Sequence, residues 1–146
     1  IGGTKNGALF GEALVILNDE LKPDFRYHIK QNGGMLAKGR LLGIQFEVLF
    51  SSDLYWRNAM HANAAAQKIA AHLKAEGVQM LIESATNQIF PIFSDDVLKK
   101  LSGQFELGTW EKVDERHTAI HIVTSWDTSE KAVRVFNQAV SRYLHP

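Results

Sequence analysis

The chain has 146 residues, a length that suits one domain with a sizeable hydrophobic core. Its 16 basic and 16 acidic side chains cancel, which argues against a nucleic-acid surface or a polybasic membrane face, and no apolar run approaches the roughly 20 residues that span a bilayer. The absence of cysteine excludes disulfides, thiolate metal sites and a thiol nucleophile, and it fits a cytoplasmic location.

The first predicted feature is a glycine-flanked turn that carries Lys5. Asn6-Gly7 between apolar segments is a strong hairpin signal, so local chemistry alone predicts a solvated lysine at a hairpin tip. A lysine held in such a turn could also form a Schiff base with an aldehyde cofactor. The local pattern leaves both interpretations open.

The next segments alternate between apolar runs and breaks. The continuous apolar run at residues 8–17 predicts a buried strand. A connection containing Pro23 follows and marks the one plausible domain boundary. Three helices are then predicted, at residues 25–31, 35–50 and 54–76. The second is apolar around most of its circumference, which is typical of a buried or interface helix, and Gly77 ends the third.

The last 70 residues predict a small sheet with two further helices. Strands are predicted at residues 78–82, 89–93, 105–113 and 118–124, with Pro91 placing the second at an edge or bulge. Ser94 and two aspartates cap a short helix that stops at Gly103. Asp127 and Glu130 form a capping-box pattern for the final helix. Its predicted apolar face consists of Val133, Phe136, Ala139, Val140 and Tyr143.

Four segments carry a resemblance to a known family: GGTKNGALFGEALVILND, KQNGGMLAKGRLLGIQFEVLF, TNQIFPIF and VTSWDTSE. In this order they resemble the C-terminal part of the threonine aldolases and the related β-eliminating lyases, which are pyridoxal 5'-phosphate enzymes of the aspartate-aminotransferase-like fold (fold type I). The resemblance implies an α/β chain whose residues 1–24 are the tail of the large cofactor domain and include its last strand. Residues 25–146 would form the α+β small domain. A whole enzyme of the family is more than twice as long, so the chain is expected to be a C-terminal fragment.

The resemblance assigns the cofactor lysine to Lys5. It implies that Lys5 carries pyridoxal phosphate as a Schiff base, and that its amine moves protons once freed. Thr4 could hydrogen-bond the cofactor phosphate, although a plain strand-end role is equally open.

A basic pair around the Gly33-Gly34 turn is expected to reach the cofactor phosphate, often from a neighbouring subunit. Lys30 matches the family lysine, whereas the family arginine further along is replaced by Ala37, with Lys38 adjacent. Several cations for one phosphate dianion are physically reasonable. A solvated role for Lys38 remains open.

His121 stands where the family pattern has an arginine that grips the substrate carboxylate. Strand alternation places His121 on the face opposite Ile120 and Ile122. Histidine offers no two-donor fork and is mostly neutral at pH 7, so carboxylate binding is in doubt, and a strand histidine without a role is the alternative. No histidine spacing suggests a metal site.

The resemblance implies a carbon–carbon lyase that cleaves L-threonine or L-allo-threonine to glycine and acetaldehyde. A related β-eliminating lyase, an aminotransferase or a non-catalytic structural relative are the alternatives, and the isolated fragment is expected to be inactive. The expected assembly is a homo-oligomer, a tetramer or a dimer, completed by the N-terminal part of the same enzyme.

Overall fold

The computed structural model describes residues 1–145, which form two compact units, the first comprising Ile1–Arg57 and the second beginning at Asn58. The boundary predicted near Pro23 lies inside the first unit. The assignment of residues 1–24 to a larger cofactor domain concerns chain outside this sequence and stays a prediction. Within residues 1–145, no helix is both long and apolar enough to cross a membrane.

The first unit is built from short elements. Two 3₁₀ turns, Thr4–Asn6 and Asp19–Leu21, precede α1 (Phe25–Gln31) and α2 (Arg40–Ser51). The helix predicted at residues 25–31 is therefore confirmed. The helix predicted at residues 35–50 begins five residues later, at Arg40, because residues 37–39 form a turn, in which Gly39 N donates to Leu36 O.

The strand predicted at residues 8–17 is wrong for this chain. Gly2 and Glu12 form one isolated bridge, and the rest of the run belongs to no strand among the described residues. Leu9 and Leu17 are each nearly nine-tenths exposed. The run is apolar enough for a buried strand, but a strand also needs neighbours for its N–H and C=O groups, and within the described residues only the bridge at Gly2 pairs with it.

Helix α3 (Leu54–Ala75) begins in the first unit and runs into the second, and Gly77 follows it with φ +80°. The prediction of a long helix ended by glycine is confirmed. The second unit adds α4 (Asp95–Leu101) and α5 (Glu130–Leu144). Its strands are β1 (Gln88–Ile89), β2 (Ile92–Ser94), β3 (Gly108–Lys112) and β4 (His117–Val123).

Strand β4 is the centre of the sheet and pairs antiparallel with each of the other three strands. Phe90 and Pro91 separate β1 from β2, as the proline predicted, since Pro91 has no N–H to donate. Strand β3 contains a bulge: Thr109 pairs with Ile120 and Glu111 with Ala119, so the residue between them, Trp110, has no partner.

Fifteen buried apolar residues from the helices and the sheet form the core of the second unit. The predicted apolar face of α5 is confirmed, since four of its members are buried there and Tyr143 packs against them. Two local predictions are wrong. Residues 78–82 contain only the isolated bridge between Met80 and Pro91. Helix α5 is capped by Ser129, whose hydroxyl accepts from Ala132 N, because the side chain of Asp127 is bonded to Ser125 instead.

Candidate active site

Lys5 lies in the first 3₁₀ turn, on a narrow loop whose ends are bonded together. Asn6 N and Ala8 N both donate to Gly3 O, at 2.9 and 3.0 Å, and Ala13 N donates to Ile1 O at 2.9 Å. Gly7 closes the turn in the left-handed region at φ 106°, a conformation that glycine adopts without strain. The hairpin signal thus predicted a reversal of the chain, although its tip is a 3₁₀ turn and not a two-residue loop.

The same loop is fixed to the helices of the first unit. Leu9 N donates to the side chain of Gln45 on α2 at 2.7 Å, and the Tyr55 hydroxyl donates to Gly2 O at 3.0 Å. A Cβ built on Gly3 would lie 2.8 Å from Ala8 Cβ and 3.0 Å from Phe46 Cζ. The backbone around Lys5 is therefore closely packed.

The side chains of Thr4 and Lys5 remain available on this packed backbone. Both residues are exposed, and no hydrogen bond or ion pair of either side chain occurs within the described part of the chain. A reactive amine needs a held backbone and an accessible nitrogen, and Lys5 has both. Thr4, at the start of the 3₁₀ turn, offers a hydroxyl one residue away.

Lys30 lies in the last turn of α1, next to a well-formed helix end. Gly34 N donates to Ile29 O at 2.8 Å and Gly33 N donates to Lys30 O at 3.1 Å, while Gly33 adopts φ +73°. This pattern is the Schellman motif, in which glycine ends a helix in the left-handed region. The carbonyl of Lys30 is used in the motif, and its ammonium is exposed.

Lys38 lies on the other side of the glycine turn, immediately before α2. It is exposed, and its carbonyl accepts from Leu41 N at 2.9 Å. The two predicted phosphate-binding lysines therefore flank the turn as the sequence indicated, and both lie in the same unit as Lys5. His121 lies in the other unit.

His121 occupies β4, opposite Gly108 of β3, and is half-buried within a cluster of rings. Its imidazole stacks on Phe90 with ring centroids 4.9 Å apart and planes 2° apart. Trp110 meets it edge-on at 5.3 Å and 64°. Nε2 of His121 lies 2.9 Å from Oε1 of Gln88.

Three members of this cluster were not predicted to take part in the site. They are Gln88, Phe90 and Trp110, and no sequence motif assigned any of the three to the site. Strand pairing places them together, since Gln88 is opposite Val123 and Gly108 is opposite His121. Strand β1 lies within the TNQIFPIF segment, and β4 ends at the first residue of the VTSWDTSE segment. The pairing of these two strands is the signal that would have placed Gln88 and Phe90 near His121.

The carboxylates with perturbed pKa values lie elsewhere. Hydrogen bonds lower the pKa of each: Ser141 for Glu76, Lys112 for Asp95, the backbone of Arg116 for Asp114, and Lys68 for Glu130. These contacts join elements of the second unit and read as structural pairs. Among residues 1–145, no group of three or more His, Asp or Glu side chains is placed to hold a metal ion.

Comparisons with known proteins find relatives along most of the chain. A low specificity L-threonine aldolase from Pseudomonas sp. is 33% identical over 135 residues, and one from Pseudomonas aeruginosa is 32% identical over the same length. Each match covers 91% of this chain and 38% of the relative. The chain thus spans about 38% of the length of the curated relatives it matches. No protein-family profile matches the chain.

Two solved structures share the fold. The threonine aldolase of Leishmania major superposes with a TM-score of 0.84 at 40% identity, over 88% of this chain and 38% of that one. A serine palmitoyltransferase from Sphingomonas wittichii superposes with a TM-score of 0.61 over 84% of this chain and 34% of that one. At 11% identity the latter shows the fold alone. The predicted fold class, the C-terminal region of a fold-type I enzyme, is confirmed.

Proposed function

The chain is homologous to the threonine aldolases over 91% of its length, and from that premise we propose that it belongs to a pyridoxal-phosphate-dependent carbon–carbon lyase. The proposed reaction cleaves L-threonine or L-allo-threonine to glycine and acetaldehyde. The observation that carries the proposal is Lys5, an exposed amine on a closely packed and hydrogen-bonded loop.

The residues around Lys5 fit the cofactor. The aldehyde of pyridoxal phosphate requires a primary amine at a fixed position. The backbone before Lys5 is fixed because Gly3 packs closely against Ala8 and Phe46, with no room for a larger residue. When bound, the cofactor withdraws the electron pair left on Cα after the Cα–Cβ bond breaks.

The chain's own residues have separate roles in this proposal. Lys5 holds the cofactor covalently and, once free, holds or moves a proton at Cα. The Thr4 hydroxyl donates to the phosphate, and Lys30 and Lys38 supply positive charge to it, either in the same subunit or in a neighbour. His121 contacts the substrate carboxylate. The group that accepts the β-hydroxyl proton is not among the residues assigned here.

The test is covalent trapping on Lys5. Borohydride reduction of the full-length protein with pyridoxal phosphate should leave a stable pyridoxyl label on the peptide that contains Lys5. Lys5→Ala should abolish the label and the release of acetaldehyde from threonine. Lys22→Ala is the matched control, because Lys22 is also an exposed lysine of the first unit but is paired with Asp19 at 2.6 Å. A label that persists in Lys5→Ala would assign the attachment to another residue.

A non-catalytic relative is the second candidate, and His121 is the observation that favours it. One imidazole nitrogen is engaged by Gln88, so the side chain has less to offer a carboxylate than an arginine has. Cofactor titration separates the two candidates. An enzyme binds pyridoxal phosphate and releases aldehyde from threonine, whereas a structural relative does neither. The isolated 146-residue chain is expected to be inactive.

We also propose a homo-oligomer, a tetramer or a dimer. On α2, Leu41, Ile44 and Val48 are each about half exposed and share one helical face at spacings of three and four residues. An exposed apolar stripe of this kind marks an interaction site. Light scattering on the full-length protein tests the proposal, and a monomer at micromolar concentration with bound cofactor would contradict it.

The absence of cysteine and the balance of charge support a cytoplasmic location, without nucleic-acid or membrane partners. Cell fractionation tests this assignment.

A further inference from the structure

The imidazole of His121 is held in one plane by its ring neighbours. Phe90 stacks parallel to it at 4.9 Å, and Trp110 meets both rings edge-on, at 5.3 Å from His121 and 4.9 Å from Phe90. Offset and edge-on contacts are the arrangements that aromatic rings prefer, so both contacts stabilise this orientation of the imidazole. The ring plane of His121 is therefore set by two ring contacts.

Within that plane, Gln88 decides which nitrogen of His121 is available. With the amide of Gln88 oriented as in this structure, its Oε1 faces Nε2 of His121 at 2.9 Å, and because an amide oxygen only accepts, this contact favours a proton on Nε2. The backbone of Gln88 is itself fixed, because it pairs with Val123 and its N–H donates to the Thr86 hydroxyl at 3.2 Å. Nδ1 has no hydrogen bond within residues 1–145 and is the free nitrogen.

We propose that Gln88 and Phe90 are positioning residues that hold His121 in the Nε2–H form, so that Nδ1 donates to the substrate carboxylate only when the ring is an imidazolium. In the neutral ring, Nδ1 carries a lone pair and repels a carboxylate oxygen. The imidazolium supplies one charge-assisted donor, where an arginine would supply two parallel donors. This inference rests on the proposed function, because it takes His121 to be a substrate contact.

The strands next to His121 place no charged residue opposite it. Strand β1 carries no charged residue, and β3 carries Glu111 and Lys112. Lys112 is bonded to Asp95 and to the Thr118 hydroxyl, and Glu111 is opposite Ala119, not His121. No ion pair involving His121 occurs within the described residues.

The tautomer is the first test. Long-range ¹H–¹⁵N spectra of the full-length protein at pH 8 should show His121 with its proton on Nε2. Gln88→Glu keeps the acceptor and should keep this tautomer, whereas Gln88→Leu should give a mixture of the two. A proton on Nδ1 in the unsubstituted protein would overturn the inference, because a neutral Nδ1–H already donates to a carboxylate.

The second test is glycine binding at pH 6 and pH 8, followed in the cofactor-loaded protein by its absorbance. The dissociation constant should be higher at pH 8 than at pH 6, since the proposed donor exists only in the imidazolium. The His121→Arg variant should bind glycine more tightly than the unsubstituted protein at pH 8, and its affinity should differ little between pH 6 and pH 8. This comparison separates the effect of His121 from that of other titrating groups. Equal pH dependence in both proteins would overturn the inference.

The two tests separate this inference from the proposed function. A protein that binds no pyridoxal phosphate contradicts the proposed function, and the tautomer measurement still decides the role of Gln88. Phe90→Leu keeps an apolar side chain but removes the stacked ring. It should raise KM for threonine more than it lowers kcat, as expected for a residue that orients a binding group.

Discussion

Gly3→Ala tests how tightly the Lys5 loop is packed. The new Cβ would lie 2.8 Å from Ala8 Cβ, about 0.7 Å closer than the ~3.5 Å of a favourable carbon contact. It would also lie 3.0 Å from Phe46 Cζ and 3.4 Å from Gly11 O. The Phe46 ring can turn aside, but Ala8 Cβ moves only with the backbone. Overpacking of this kind costs about 1–3 kcal/mol.

The matched control is Gly2→Ala, at the neighbouring residue. A Cβ on Gly2 meets nothing within 4 Å, and its φ is not among the positive values. This substitution should be neutral or stabilise slightly, by up to about 1 kcal/mol, because alanine lowers the entropy of the unfolded chain. The comparison of neighbouring glycines therefore separates the contact at Gly3 from general effects of alanine in the loop.

Two measurements follow the pair. Urea unfolding of the full-length protein should show a lower midpoint for Gly3→Ala than for Gly2→Ala. Borohydride trapping should show a smaller fraction of Lys5 labelled in Gly3→Ala at limiting cofactor, because the amine is displaced. If both variants unfold and label alike, the loop is not closely packed and the argument for a fixed Lys5 amine is refuted.

The remaining predictions concern Lys30 and Glu76. Lys30→Ala should weaken pyridoxal phosphate binding in an equilibrium titration, since it removes one cation from a phosphate dianion, and Lys22→Ala should leave it unchanged. The pKa of Glu76 is lowered from 4.5, first by the hydrogen bond from Ser141 and then by His145. Its folded form therefore resists protonation, so the stability that it contributes is present above about pH 4.5 and is lost as the pH falls through the lowered pKa. Urea midpoints measured from pH 6 to pH 3 should fall more steeply in the unsubstituted protein than in Glu76→Gln, and Ser141→Ala should reduce that difference more than His145→Ala.

Helices were predicted well where their start and stop signals lie within the chain. Gly77 ends α3 because it adopts a left-handed backbone conformation that most other residues disfavour. The spacing of apolar residues from Val133 to Tyr143 identifies the buried side of α5. These signals depend on residues close in sequence. They can therefore be recognised from the sequence without knowledge of the tertiary structure.

The strand predictions failed where the partner decides the outcome. Residues 8–17 and 78–82 have strand-like composition, but a run becomes a strand only when another backbone pairs with it. In the described chain, each run contains one residue in an isolated bridge: Glu12 in the first run and Met80 in the second. The N-cap of α5 shows the same limit on a smaller scale, because Ser129 and Asp127 are both good caps and the contact of Asp127 with Ser125 decides between them.

The predicted site residues were located by resemblance, and their surroundings came from tertiary structure. Lys5 and Lys30 are recognised from local sequence motifs. In the structure these motifs form the first 3₁₀ turn and the Schellman motif at the end of α1. The environment of His121 could not be predicted in the same way. Gln88 and Trp110 are 33 and 11 residues from it in sequence, and only strand pairing brings them together.

The bulge at Trp110 gives β3 a tolerance for changes in length. On both sides of it the pairs are in register, Thr109 with Ile120 and Glu111 with Ala119. Deleting Trp110 would remove the bulge and leave a regular antiparallel pairing of β3 with β4, in which every other residue pair is kept. A single-residue deletion or insertion here is therefore a route by which evolution or an engineer can remove or replace a ring beside His121 without rebuilding the sheet.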